Sequence, residues 1–228
     1  MIEVSCVSKS FGDVIAVSDV SFAVPAGSVA VLVGPSGSGK TTLLRLIAGL
    51  EEPDAGEISM GGRQVSRPGW AVAPHQRSIG FVFQSPALWP HMTAAQNVMF
   101  GLQHLPRPEA AARLAEALER TSCAHVASRY PAQISGGEAR RVALARALAP
   151  RPDWLLMDEP LTNLDGDLRA ELLELVAGVA GETGAGMIYV THDRGEAARL
   201  SDRPLLLRAG RLVTGGGGEQ AGGGEGVP

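Results

Sequence analysis

An octapeptide near the start of the chain constrains its fold more than any other feature. Residues 34–41 read GPSGSGKT, which satisfies the pattern GxxxxGK[ST]. An apolar run at 29–33 precedes it and a stretch with helical spacing at 40–50 follows it, so it joins a buried strand to a helix. Glycines there let successive backbone N–H groups wrap phosphate oxygens. The pattern predicts a nucleotide-binding loop formed by Gly34, Pro35, Ser36, Gly37, Ser38, Gly39, Lys40, Thr41 and Thr42.

Two side chains give this loop its chemistry. Lys40 is expected to neutralise the β- and γ-phosphates, and the Thr41 hydroxyl is expected to ligate Mg2+. The alternative is a glycine-rich turn in a protein that has 29 glycines. A chance match is rare because Lys9 and Lys40 are the only lysines of the chain.

A second motif places two acids beside this loop. Residues 154–160 read WLLMDEP, an apolar strand that ends in Asp158 and Glu159 at the carboxyl edge of the sheet. Asp158 is expected to hold Mg2+ through its water shell. Glu159 is expected to act as general base toward water, because a carboxylate in a partly dehydrated site can take up a proton near neutral pH. The alternative is a solvated pair of acids, and the two motifs alone do not separate kinases, GTPases, helicases and transporters.

A third motif, ISGGE at 134–138, separates these classes. Ser135 can cap the following helix while Glu138 returns a hydrogen bond to the backbone N–H of the cap. Capping does not explain Gly136 and Gly137, each of which weakens the first helical turn by about 1 kcal/mol. Glycines there suit the close approach of an anion to the helix N-terminus. A second anion site suggests that two subunits face each other and complete each other's nucleotide sites.

The order of these motifs, together with FVFQ ending at Gln84, LD at 164–165 and TH at 191–192, resembles the ATP-binding subunit of ATP-binding cassette (ABC) transporters. The resemblance covers residues 1 to about 214 and implies ATP and Mg2+ as ligands. It implies that Gln84 reaches the metal or water and that His192 contacts the γ-phosphate. It also implies that Phe11 stacks on adenine, although an aromatic residue before a turn is also typical of a core. Asp165 would link the two sites of a dimer.

The resemblance implies an ATP-hydrolysing subunit that powers a membrane transporter, working as a pair of cassettes with composite sites. The expected partners are a second copy or a paralogous cassette, permease subunits and, through them, a solute-binding protein. Ile134 and Glu138 replace the commoner leucine and glutamine, but both replacements keep their packing and capping roles. Thr162 and Asn163 replace residues that are usually small, which would tune the coupling between sites.

Two segments point to import. Residues 85–98 and 158–169 look like the importer cassettes of the polyamine, ferric-iron, sulfate, thiamine and sugar group. In this group the first segment receives the permease, so Trp89, Pro90 and Met92 would be exposed unless docked; alternatively, Trp89 packs within the helical subdomain. A cassette of a lipid or lipoprotein exporter is the main alternative, followed by a soluble ABC ATPase acting on DNA or ribosomes.

Alternating strands and helices after residue 136 predict a parallel, doubly wound sheet. With the resemblance, the expected fold class is an α/β P-loop NTPase of the ABC type, with a mixed central sheet, an antiparallel β edge and an inserted helical subdomain. The predicted domain covers residues 1–214, with the helical subdomain at about 86–150. Residues 215–228 are mostly glycine and are expected to form a flexible tail. Many members of the resembling group continue into a C-terminal regulatory domain, and we expect any regulation that such a domain provides to be absent or to come from another subunit.

Composition narrows the location and the partners. A net charge of −4 without a basic block predicts no nucleic-acid partner. No apolar run reaches the ~18 residues of a membrane span, and the N-terminus lacks a signal-peptide pattern. Cys6 and Cys123 stand outside any CxxC pair and are expected to be reduced, semi-buried packing residues. The predicted location is cytoplasmic, peripheral on the inner face of the cell membrane.

Overall fold

The structure, a computed structural model, describes residues 1–213, and the predicted tail at 215–228 lies outside them. One of its two sheets is antiparallel, and its first two strands turn at Gly12, whose φ of +58° suits glycine. Its strand order is β2-β1-β4-β5-β6, numbered along the chain. The strands are β1 (Ile2–Phe11), β2 (Val14–Val24), β4 (Ala55–Met60), β5 (Arg63–Arg67) and β6 (Trp70–Ala71).

The second sheet carries the parallel strands that the alternating pattern predicts. Its order is β11-β10-β3-β9-β8-β7, and every pair is parallel except β10 with β11. The sheet is therefore mixed, while the antiparallel strands near the N-terminus form a sheet of their own. The strands are β3 (Val29–Val33), β7 (Ile79–Val82), β8 (Trp154–Asp158), β9 (Gly186–Thr191), β10 (Leu205–Arg208) and β11 (Arg211–Val213).

Six α-helices lie within residues 1–213, and glycine ends two of them. Gly49 follows α1 with φ +75° and Gly184 follows α5 with φ +67°, the left-handed conformation typical of a helix C-terminus. Four short 3-10 segments lie at Pro74–Gln76, Phe100–Leu102, Ala124–Val126 and Pro131–Gln133. The helices are α1 (Lys40–Ala48), α2 (Ala94–Met99), α3 (Arg107–Arg120), α4 (Gly136–Leu148), α5 (Gly166–Thr183) and α6 (Arg194–Leu200).

Three main hydrophobic cores hold these layers together. The first lies between the antiparallel sheet, α1 and one face of the mixed sheet, and the second covers the opposite face with α4, α5 and α6. The third is formed by α2, α3 and α4. Helix α4 contributes Val142 and Ala145 to the third core and Leu144 and Leu148 to the second. It therefore joins the helical region to the sheet; the subdomain limits at 86 and 150 stay a prediction.

The structure corrects one local expectation, which concerns Cys6. Cys6 is exposed with φ +50°, at an irregularity in the pairing of β1 with β2, so it is not the semi-buried packing residue that we expected. Cys123 is buried and free. No helix within residues 1–213 has the length and apolarity to cross a membrane.

Candidate functional site

The loop between β3 and α1 needs glycine at both of its ends. A Cβ on Gly34 would collide with the backbone oxygen of Leu207, and a Cβ on Gly39 would collide with that of Ala16. Gly39 also has φ +98°, which side chains strongly disfavour. Ser38 Oγ is buried in this loop and makes no hydrogen bond within residues 1–213. An unpartnered hydroxyl inside a glycine loop at a helix N-terminus fits a ligand that accepts hydrogen bonds, such as a phosphate.

Lys40 begins α1 and is buried beneath this loop. Its Nζ donates to Gly34 O at 2.8 Å and to Pro35 O at 3.0 Å. The same Nζ lies 3.3 Å from Glu159 Oε1. The ammonium group is therefore shared between the loop backbone and one of the two predicted acids. Pro35, Ser36 and Gly37 are exposed at the tip of the loop, and Thr42 is half-buried behind it.

Thr41 and Asp158 meet at the carboxyl edge of the mixed sheet, with Thr41 Oγ1 donating to Asp158 Oδ1 at 2.9 Å. Burial raises the pKa of Asp158; the Thr41 hydrogen bond opposes this shift and the nearby Glu159 adds to it. Hydroxyl and carboxylate oxygens are ligands that Mg2+ prefers, and the ion usually completes its shell with waters and phosphate oxygens. No group of three or more His, Cys, Asp or Glu side chains within residues 1–213 forms a metal cage. The pair thus fits a Mg2+ that shares its ligands with a nucleotide.

Glu159 stands at the centre of the site in a strained conformation. Its φ is +45°, and its backbone N–H donates to Val190 O at 2.9 Å, which ties the turn after β8 to β9. Its Oε2 lies 3.0 Å from His192 Nδ1 and accepts from Thr162 Oγ1 at 3.3 Å. An ionised carboxyl group only accepts hydrogen bonds, so Nδ1 carries the proton in this contact. The structure thus brings Lys40, Glu159 and His192 together.

The loop that carries His192 is fixed from behind by a buried carboxyl group. Glu196, in α6, accepts from Tyr189 Oη at 2.9 Å and from Thr191 Oγ1 at 2.7 Å. Burial raises the pKa of Tyr189, and the neighbouring Glu196 raises it further. Asp193 caps α6 by accepting from the backbone of Gly195 and Glu196. Glu196 was not predicted from the sequence, because an acid in the first turn of a helix indicates only a solvated face.

Two further candidates are not joined to this cluster by any side-chain hydrogen bond within residues 1–213. Gln84 follows β7 and is exposed, and its backbone oxygen accepts from Arg140 at 3.0 Å. Phe11 ends β1 and is 47% exposed, with Lys9 Nζ 5.5 Å from its ring centroid. An exposed ring is not the core aromatic residue that was our alternative. Its predicted contact with adenine stays a prediction.

The ISGGE motif forms the capping box that the sequence predicts. Ser135 Oγ accepts from the backbone N–H of Glu138 at 3.2 Å, and Glu138 Oε2 accepts from that of Ser135 at 2.7 Å. This backbone bond and a 3.0 Å contact with His125 lower the pKa of Glu138 to about 2. No hydrogen bond or ion pair in the described part of the chain joins the motif to the phosphate loop.

Packing against a neighbouring helix involves one of the two glycines. A Cβ on Gly137 would lie 2.9 Å from both δ-methyl groups of Leu168 in α5, so a larger residue here would require the Leu168 side chain to shift. A Cβ on Gly136 would meet nothing within 4 Å, so packing within residues 1–213 does not require glycine at this position. Asp165 caps α5 by accepting from the backbone N–H of Leu168 at 2.9 Å. The ISGGE motif and the N-terminus of α5, which Asp165 caps, thus lie side by side.

The comparisons with known proteins agree with this fold and site. A family model described as ABC transporter matches residues 17–162, more than half of the chain, and the chain belongs to this family. The Fe(3+) ions import ATP-binding protein FbpC 1 of Rhodococcus jostii (strain RHA1) is 51% identical over 93% of this chain and 61% of that protein. The sulfate/thiosulfate import ATP-binding protein CysA of Escherichia coli (strain K12) is 46% identical over 92% of this chain and 58% of that protein. The chain spans about three fifths of the length of these relatives.

Solved structures share the architecture. The ATP-binding cassette MJ0796, in a dimeric post-hydrolysis state bound to ADP and Pi, matches with a TM-score of 0.82 and 31% identity over 93% of this chain and 96% of that chain. CbiO1 from Clostridium perfringens, part of the ABC transporter complex cbiONQ, matches with a TM-score of 0.84 and 28% identity over 93% and 86% of the two chains. The predicted family and fold class are confirmed.

Proposed function

We propose that this chain is the ATP-binding and ATP-hydrolysing subunit of an ABC transporter that imports a solute. The observation that carries the proposal is the contact network at one sheet edge, where Lys40 and His192 both contact Glu159 and Thr41 contacts Asp158. A general base, a cation for phosphate and a pair of oxygen ligands for Mg2+ are the parts that phosphoryl transfer to water requires.

The residues act in a definite order. The phosphate loop binds the β- and γ-phosphates, which compete with Glu159 and with the Gly34 and Pro35 oxygens for Lys40 Nζ. Glu159 then loses its cationic partner and accepts a proton from water, whose oxygen attacks the γ-phosphorus while the bond to the bridging oxygen of ADP breaks. His192 contacts Glu159 through Nδ1, and an imidazolium ring, which carries a proton on each nitrogen, would also donate from Nε2 to the γ-phosphate.

Thr41 and Asp158 would hold Mg2+, with Gln84 as a further ligand or as a contact to the attacking water. When bound, the ion neutralises charge on the transferring phosphate. The 2.9 Å contact between Thr41 and Asp158 supports this assignment, because it places a hydroxyl oxygen and a carboxyl oxygen side by side, and both are oxygen types that would hold Mg2+ directly or through water.

Two copies of the chain, or this chain and a paralogue, share the nucleotides. Ser135, Gly136, Gly137 and Glu138 would face the nucleotide held by the partner's phosphate loop. The open space at Gly136 supports this arrangement, because the helix N-terminus is accessible there and favours an anion. The dimeric state of the cassette MJ0796 gives independent support. Asp165, the N-cap residue of α5, lies beside this motif and would link the two sites.

The permease would bind at the segment after Gln84, on the inner face of the membrane. Trp89 is half-buried against Phe100, with ring centroids 4.5 Å apart, and the Arg146 guanidinium lies 5.1 Å from its ring centroid. Phe100 remains 45% exposed and Pro90 is exposed beside it. An apolar surface of this kind suits a helix of a membrane subunit. Import is supported by the names of the relatives, which are import ATP-binding proteins for different solutes.

A single substitution tests hydrolysis. Glu159→Gln removes the proton acceptor but keeps the side-chain shape, so we expect ATP turnover to fall roughly 100-fold or more while ATP still binds and holds the two copies together. The control is Glu174→Gln in α5, which breaks an exposed ion pair with Arg199 in α6 and should leave turnover unchanged. Steady-state phosphate release and size-exclusion chromatography with and without ATP provide the measurements. Unchanged turnover in Glu159→Gln would remove Glu159 from the role of base.

A further inference from the structure

Arg140 makes an unusual set of contacts two residues after the ISGGE motif. Its Nη1 donates to Gln84 O at 3.0 Å and also to Pro160 O, and its Nη2 donates to Thr162 O at 2.6 Å. The neighbouring Arg141 instead pairs with Glu171 at 2.6 Å. Arg140 has no acidic partner within 4 Å in the described part of the chain. Its guanidinium therefore binds backbone carbonyls alone, and burial lowers its pKa.

The three carbonyls belong to two segments of the nucleotide site. Gln84 follows β7, and Pro160 and Thr162 follow Glu159 in the turn after β8. The Thr162 hydroxyl itself donates to Glu159 Oε2 at 3.3 Å. Because Glu159 is held at φ +45°, the turn depends on contacts that fix it from outside. The rigid, planar fork of a guanidinium can hold several carbonyls at set angles, which a lysine ammonium cannot do.

The position of Arg140 in α4 adds a third connection. It lies about one helical turn beyond Gly136 and Gly137, a rise of about 6 Å along the helix axis. Helix α4 is held in two hydrophobic cores at once, by Leu144 on one side and Val142 on the other, so it moves as a rigid element. A displacement of its first turn therefore displaces the guanidinium as well.

We propose that Arg140 is a positioning residue for hydrolysis, which fixes the Glu159 turn to the Gln84 segment and to the first turn of α4. The ISGGE motif of one copy, which faces the partner, and Glu159 of the same copy then move together. This inference rests on the proposed function, because hydrolysis at shared sites gives the coupling its role.

The kinetic test uses two variants and a matched control. Arg140→Gln removes the fork without touching a group assigned to ATP, so we expect kcat to fall roughly tenfold or more while KM and the Kd of ATP change less than about threefold. Arg140→Lys keeps the charge but not the fork, and should restore only part of the loss. The control is Arg113→Gln in α3, which loses a hydrogen bond to Pro150 O and a pair with Glu109, and should keep wild-type turnover.

Hydrogen–deuterium exchange supplies a readout that general destabilisation would not produce. In Arg140→Gln we expect faster exchange at amides 84–87 and 161–163 together, while the strands of the mixed sheet keep wild-type rates; Arg113→Gln should change neither segment. Unchanged kcat, complete rescue by lysine or faster exchange spread over the whole chain would each overturn the proposal. A wild-type chain that does not hydrolyse ATP would contradict the proposed function instead, and the exchange data would still decide whether Arg140 couples the two segments.

Discussion

Removing the buried carboxyl group of Glu196 should destabilise the protein and disturb the loop that carries His192. Glu196 is 6% exposed and accepts from Tyr189 Oη and Thr191 Oγ1, two hydroxyl groups that are also buried. Thr191 Oγ1 in turn accepts from the backbone N–H of Asp193 at 3.0 Å. These hydrogen bonds therefore form a continuous network from the core to Thr191 and Asp193, the residues on either side of His192.

The structure sets the magnitude for Glu196→Ala. The substitution leaves two buried hydroxyl groups without an acceptor, and each unsatisfied buried group costs about 1–3 kcal/mol. The free energy of unfolding should therefore fall by roughly 2–6 kcal/mol. Turnover should fall as well, since Thr191 and Asp193 then hold His192 less rigidly.

Urea denaturation followed by circular dichroism measures the stability change. Tyr189→Phe removes one donor and keeps the ring, so it should cost less, about 1–2 kcal/mol. In the double variant the two effects should not add, because both substitutions remove the same hydrogen bond. A cost below about 0.5 kcal/mol for Glu196→Ala, the ordinary effect of a surface substitution, or full additivity of the two effects would show that these hydrogen bonds do not hold the loop.

Two further substitutions test the phosphate loop and the metal pair. Gly39→Ala should abolish binding of a fluorescent ATP analogue, because Gly39 has φ +98° and its Cβ would collide with Ala16 O; Gly69→Ala, at φ +71° with open space around the Cβ, carries similar strain and should keep binding. Burial raises the pKa of Asp158 above its ordinary value of 3.8. Between pH 3.8 and the raised pKa, the folded state therefore binds more protons than the unfolded state, and the free energy of unfolding falls as the pH rises. Asp158→Asn should flatten this dependence in denaturation midpoints and leave the nucleotide-free chain at least as stable at pH 7, while abolishing Mg2+-dependent ATP hydrolysis. Retained hydrolysis in Asp158→Asn, or equal binding by the two glycine variants, would contradict these assignments.

The parts of the site that the sequence predicted are those with local causes. The phosphate loop depends on glycines next to a strand and a helix, and the capping box at Ser135 and Glu138 spans four residues. The meeting of Lys40 with Glu159 also followed from the sequence, because parallel strands bring their carboxyl ends to one edge. Short-range patterns and one topological rule were sufficient for these features.

The parts that the sequence missed depend on long-range contacts. Arg140 reaches Gln84, 56 positions away, and nothing in a helical run of arginines shows which of them faces the site. Gly137 packs against Leu168, which belongs to another helix, and no local pattern reveals this contact. The exposure of Cys6 follows from an irregular pairing of β1 with β2, which composition does not reveal.

Mass spectrometry of the proteins that co-purify with the tagged chain from detergent-solubilised native membranes shows whether the chain works with a permease. Glu159→Gln with ATP should stabilise the assembled state, and Gly39→Ala serves as the matched control that cannot hold the nucleotide. We expect a multispanning permease, together with a solute-binding protein, to be recovered in an ATP-dependent manner. Recovery from the soluble fraction alone, with ribosomes or DNA, would contradict the transport function.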